Sequence, residues 1–178
     1  SLALALAADG KESVGPGGRT NPLFLDCDVE APNAHLFLKP DIQEQKDVPI
    51  LIPQVDETLC THCKRCAEVC PWHAIAVIGT KVLVFPQLCH GCGSCTYACP
   101  EGAISELPVP IGVMEAGPTP EGISFAHGIL NVGEPMAVPI IRQLKKWRPA
   151  DAGFQPDDRL LIIDASPGTT CPVVESMR

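Results

Sequence analysis

Apolar residues in this chain fall into short blocks, not long amphipathic runs. Pro22-Leu23-Phe24-Leu25-Asp26 and Arg159-Leu160-Leu161-Ile162-Ile163-Asp164 are unbroken apolar stretches, each closed by an acid. A strand buried on both faces lacks alternation in this way, so both predict strands of a parallel sheet. Ile75–Ile78 and Lys81–Phe85 flank Gly79-Thr80 and predict a hairpin. Leu/Ala-rich Ser1–Asp9, stopped by Gly10, reads as the end of a helix. Gly15–Thr20 is a glycine-rich loop before a strand, and Ala165–Thr169 a loop after one. Lys145-Lys146-Trp147-Arg148 reads as the solvated end of a helix. Helical and strand signals in this order place the chain in the α/β class.

Cysteine usage changes the picture most. Of ten cysteines, eight form two runs of one spacing, Cys60-x-x-Cys63-x-x-Cys66-x-x-x-Cys70-Pro71 and Cys89-x-x-Cys92-x-x-Cys95-x-x-x-Cys99-Pro100. This is the bacterial ferredoxin spacing, in which the fourth cysteine of each run ligates the other run's 4Fe–4S cluster. It assigns Cys60, Cys63, Cys66 and Cys99 to one cluster, and Cys89, Cys92, Cys95 and Cys70 to the second. Three thiolates on a tight loop can cap three irons of a cube. The fourth iron faces away from the loop and needs a sulfur from elsewhere. Pro71 and Pro100 then turn the chain away without presenting another N–H. The repeat extends to Ala74-Ile75 and Ala103-Ile104, which predicts a two-fold pseudo-symmetric module. Zinc sites use paired C-x-x-C knuckles, a different pattern. With complete cysteine sets, His62, His73 and His90 are expected to face solvent.

Composition narrows the remaining options. Apolar residues make up 46% of the 178, enough to bury a core, and aromatics only 4%, so that core must be aliphatic. The formal charge of −8 would fall to roughly −12 with two clusters bound. That balance disfavours nucleic acid as a partner. The Leu/Ala-rich start has no basic segment before it, unlike a signal peptide. No apolar run approaches the ~20 residues of a membrane span. The expectation is a cytoplasmic protein.

The flanks of the cysteine module resemble the MinD-superfamily P-loop ATPases. Leu25-Asp26-Cys27-Asp28-Val29-Glu30-Ala31-Pro32-Asn33-Ala34-His35-Leu36 is similar to their switch I region, and Leu161-Ile162-Ile163-Asp164-Ala165-Ser166-Pro167-Gly168-Thr169 to their Walker B strand and switch II loop. Gly128–Glu134 and Val138–Ile141 resemble a stretch of the branch that carries an inserted two-cluster ferredoxin. The resemblance implies a parallel-sheet P-loop fold, like that of the nitrogenase iron protein, with an α+β ferredoxin insert. It implies that Asp28 helps position an attacking water, Asp164 orients magnesium through water, Asp26 lies near the magnesium and Gly168 offers a backbone N–H to the γ-phosphate. ATP and Mg²⁺ would be ligands of the intact parent, which would pair as a homodimer around nucleotide. The family's phosphate loop is missing: no G-x-x-x-x-G-K-[ST] occurs, so the isolated chain is not expected to bind MgATP.

The expected organisation is 1–52 as the first ATPase part, 53–107 as the ferredoxin module and 108–178 as the ATPase continued. The leading function is single-electron transfer to a redox partner protein, gated by nucleotide state. The alternatives are a cluster carrier, and a positioning ATPase with redox-sensing clusters. Cys27 is expected to be a small buried hydrophobe. Cys171 resembles a subunit-bridging cluster ligand of the nitrogenase iron protein.

Overall fold

The computed structural model describes residues 22–147 and 160–178. The expectations for Ser1–Asp9, Gly15–Thr20, Arg148 and Arg159 lie outside these residues. The chain divides into two compact units, one of residues 1–48 and 112–178, the other Pro49–Ile111.

In the first unit, β1 (Leu23–Asp26) is buried along its whole length. It lies between β6 (Ser124–Leu130) and β7 (Leu161–Asp164), parallel to both. Its unalternating apolar sequence follows from that position, since both faces are covered. On one face Phe24, Ala34, Leu38, Ile123 and Phe125 pack together, with the Phe24 and Phe125 rings stacked 6.1 Å apart. Ala34 and Leu38 come from the short helix α1 (Ala34–Leu38). Helix α4 (Val138–Lys146) buries Ile140, Ile141 and Leu144, spaced for one face. Helix α5 (Cys171–Met177) joins α4 through Glu175, which accepts two hydrogen bonds from the Arg142 guanidinium, while Lys145 Nζ donates to the Glu175 carbonyl. Lys145 and Lys146 thus lie within the last turn of α4 and not after it.

The sheet departs from the expected parallel pattern. Its order is β2-β5-β6-β1-β7, with β2 spanning Glu44–Val55 and β5 spanning Ile104–Pro118. β5 runs antiparallel to β6 from Gly112 to Pro118. β2 also opposes β5, as shown by Asp41 N–H to Pro118, Gln43 N–H to Ala116 and Asp56 N–H to Ala103. The sheet is mixed, parallel across β6, β1 and β7 and antiparallel at β5. Pro49 and Pro53 are tolerated because β2 is an edge strand. Pro108 and Pro110 precede Gly112, where pairing to β6 begins.

The second unit follows its repeat. The hairpin of β3 (Ile75–Ile78) and β4 (Lys81–Val84) pairs Ile75 with Val84 and Ile78 with Lys81. The N–H of Phe85 bonds to Ala74 as that of Asp56 bonds to Ala103, so the hairpin repeats the β2/β5 pairing 29 residues out of step. The short helices α2 (Arg65–Glu68) and α3 (Ser94–Ala98) occupy matching places. Cys66, Ile75 and Ile104 form the core, with Val55, Val77, Val82 and Val84 against it.

Close approach fixes one glycine of the first unit. A Cβ on Gly117 would overlap the backbone carbonyl of Asp41, which has no side-chain freedom with which to yield. Gly117→Ala should cost about 1–3 kcal/mol, the range for overpacking. A fall in the urea midpoint of unfolding would register this, and an unchanged midpoint would mean that the backbone at Asp41 gives way easily.

Candidate metal centre

All ten cysteines are free thiols. Local sequence brings the eight of the repeat together in two cavities of the second unit. One is lined by Cys60, Cys63, Cys66 and Cys99, the other by Cys70, Cys89, Cys92 and Cys95. Each cavity takes three thiols from one run and the last thiol from the other. Four thiols around one cavity suit a polynuclear centre, in which each sulfur binds its own iron.

Backbone geometry supports the sulfurs. The N–H of Ala74 points to Cys70 Sγ at 3.3 Å and that of Ala103 to Cys99 Sγ at 3.3 Å, the same contact in both halves. Gly91 N–H lies 3.5 Å from Cys89 Sγ, and Ser94 Oγ 3.4 Å from Cys92 Sγ. Such donors favour the thiolate. The Ser94 hydroxyl and N–H accordingly lower the Cys92 thiol below its ordinary value. Burial acts the other way on Cys66, Cys89 and Cys95 and raises them. Iron uptake at those sulfurs must therefore displace protons that burial favours.

Matching loop positions share a left-handed backbone but not a residue type. His62, Lys64 and His73 have φ of 57°, 67° and 51°, and their counterparts Gly91, Gly93 and Gly102 have 60°, 73° and 61°. For a residue with a Cβ this conformation costs about 1–2 kcal/mol. Of the three histidines expected to face solvent, His73 and His90 are exposed and His62 is half-buried. His62 lines the first cavity and its Nε2 is buried without a hydrogen-bond partner. His90 stacks on Trp72 with ring centroids 3.7 Å apart, at the second cavity. Trp72, Glu106 and Glu101 also line the cavities, and spacing alone gave no signal for them.

The acids singled out in the flanks lie in the first unit. Asp26 and Asp164 are register partners on adjacent parallel strands. Asp26 is fully buried, with Oδ1 accepting the N–H of Asp28 at 3.1 Å and Oδ2 that of Ala34 at 3.1 Å. Its carboxylate ties down the loop after β1 and the start of α1. Burial raises its pKa while those two N–H groups pull it down. The Ser166 hydroxyl donates to Asp28 Oδ1 at 2.7 Å. Gly168 has φ 109° in the loop after β7.

The remaining thiols differ sharply. Cys171 is exposed at the first position of α5, not within the preceding loop. Cys27 is fully buried, and burial pushes its thiol up to about 11 despite a hydrogen bond from Ser176. About one Cys27 in a thousand is then ionised at pH 8. In the folded protein iodoacetamide should modify Cys171 rapidly and leave Cys27 untouched. Labelling of Cys27 should climb with pH toward about 11 instead of levelling off near the ordinary thiol value. Equal labelling of the two at pH 8, read by peptide mass, would contradict the burial of Cys27.

Comparison with known proteins agrees with the thiol geometry. Residues 52–106 match the 4Fe–4S dicluster domain family. These residues form an iron–sulfur dicluster domain of the ferredoxin type. The chain is also 32% identical, over 163 residues, to an uncharacterized protein of Methanocaldococcus jannaschii. That similarity takes in 89% of this chain and 53% of the relative, so the chain spans about half the relative's length. No helix among the described residues is long and apolar enough to cross a membrane.

Proposed function

We propose that Cys60, Cys63, Cys66 and Cys99 hold one 4Fe–4S cluster, that Cys89, Cys92, Cys95 and Cys70 hold the second, and that the module passes single electrons to a redox partner protein. The observation that carries this reading is the pair of four-thiol cavities, each drawn from both runs. A bound 4Fe–4S group supplies one-electron chemistry at a potential set by its surroundings. The residues do the rest. Eight thiolates deliver the charge that holds iron, and the Ala74 and Ala103 N–H groups stabilise the two exchanged sulfurs. The apolar core of Ile75, Ile104 and Val77 lies against Cys66 and keeps water from the inner faces of the sites.

Anaerobic reconstitution of the chain with iron and sulfide should give about eight irons and eight sulfides, with 4Fe–4S EPR signals on reduction. Cys99→Ser and Cys70→Ser should each damage one cluster, and each should be the cluster whose other three ligands lie in the opposite run. Retention of zinc in place of iron, or damage confined to a variant's own run, would defeat the crossed assignment.

The first unit supports a second, linked reading: a nucleotide site of the MinD type at the carboxyl ends of β1 and β7. The favouring observation is the register of Asp26 beside Asp164, with Asp28 held by Ser166 in the loop beyond. Acids at that edge of parallel strands suit magnesium and phosphate. In this reading Asp28 orients the attacking water, Asp164 orients magnesium and Gly168 offers its N–H to phosphate, while Asp26 fixes the loop that carries Asp28. The chain crosses between its units twice, within β2 and within β5, and those crossings would link nucleotide state to redox state. In a protein of the relative's full length, Asp28→Asn should abolish MgATP hydrolysis while leaving iron content unchanged. Cluster potentials indifferent to MgATP would remove the link.

A further inference from the structure

The two cluster sites share a ligand pattern and a backbone, yet different side chains surround them. A shift of 29 residues carries His62 onto Gly91, Lys64 onto Gly93 and Trp72 onto Glu101. The first cavity is lined by Thr61, His62, Lys64 and Glu101 besides its thiols and aliphatic groups, and the second by Trp72, His90, Ser94 and Glu106. Lys64 and Glu101 are both exposed and opposite in sign, so their effects largely cancel and are screened by water. Glu106 is half-buried, and a carboxylate there disfavours added negative charge.

His62 is the distinctive group. It accepts a left-handed backbone that glycine adopts freely, and its Nε2 is buried with no partner in the protein. Buried polar atoms are rarely left unsatisfied, so an orphan at a cavity lined by thiols points to an acceptor inside that cavity. The second half carries glycine at the matching place, and a side chain there would be crowded. A Cβ at Gly91 would meet the backbone N and O of Leu51 at 3.2 Å.

We propose that His62 is a positioning residue that donates its Nε2–H to a sulfur of the cluster held by Cys60, Cys63, Cys66 and Cys99, and so raises the potential of that cluster above the value it would have without the donor. The inference rests on the cluster assignment proposed above. A hydrogen bond to sulfur stabilises the reduced, more negative form and raises the potential. The neutral imidazole with its proton on Nε2 suffices. An electron given to the module by an external one-electron reductant is then held more tightly in the first cavity than it would be without His62, and no bond is made or broken in the protein.

The test is a potentiometric titration of the reconstituted chain, followed by EPR, at a single pH of about 8.5. His62→Gly suits the left-handed backbone, as Gly91 shows in the other half, and so keeps the fold while removing the donor. It should lower the potential of the cluster that Cys99→Ser damages and leave the other in place. A tenfold change in how one electron divides between the clusters corresponds to about 59 mV. His62→Gln, which keeps an N–H donor, should restore part of the loss. Glu106→Gln should raise the potential of the other cluster. With both clusters loaded, unchanged potentials in His62→Gly, a shift confined to the cluster that Cys70→Ser damages, or equal shifts of both overturn this inference alone. A wild-type chain that takes up no iron and sulfide overturns the cluster assignment itself, and this inference with it.

Discussion

Thiolates repel one another, and a protein that gathers four of them around a small cavity must supply both the geometry and a cation to hold them. A loop with two residues between successive cysteines reaches three corners of a cube and no more. The fourth sulfur has to come from another part of the chain, and here it comes from the far end of the other run, Cys99 for the first cavity and Cys70 for the second. Each half of the module is therefore incomplete alone. The pairing of β3 with β4, and of β2 with β5, brings the two last cysteines into place, and the core of Cys66, Ile75 and Ile104 lies between. For a unit of residues 49–111, iron would serve as the staple that so small a core lacks.

What could be read from the sequence was what a local rule encodes. Cysteine spacing is rigid because the ligand geometry is rigid, and it indicated a dicluster domain directly. The hairpin at Gly79-Thr80 and the apolar blocks ending at Asp26 and Asp164 were equally plain, since a turn dipeptide and an unalternating run are short-range signals. The long strands β2 and β5 were not. Glu44–Val55 and Ile104–Pro118 carry prolines and charges that break any period-two pattern. They are strands because of where they sit, at an edge or beyond the last paired residue of a neighbour, and sequence does not show edges. Antiparallel pairing of β5 with β6 is likewise a matter of topology.

The acids show the same limit from another side. A strand that ends in Asp carries one signal for two jobs, ligand binding and loop capping. Asp26 resolves toward capping in its observed contacts, because both of its oxygens already accept backbone N–H groups. Asp28 lies in the loop beyond β1 and accepts from the Ser166 hydroxyl, and Asp164, level with Asp26, is exposed. Only burial and partner atoms separate these neighbours, and neither is encoded in a run of apolar letters.

The repeat also explains how two sites with one ligand set can come to differ. β4 starts at Lys81 out of a turn at Gly79-Thr80, whereas its counterpart β2 is already running as a strand at Leu51. The strand backbone at Leu51 crowds Gly91 and would have to yield by a few tenths of an ångström to admit a side chain there. The shift of 29 residues carries Leu51 onto Thr80, in the turn, and in that half the loop carries His62. A symmetric ligand scaffold becomes asymmetric because one of its strands continues outward into the rest of the chain. The same continuation that joins the two units thus frees one loop, and not the other, to carry a polar group toward its sulfurs.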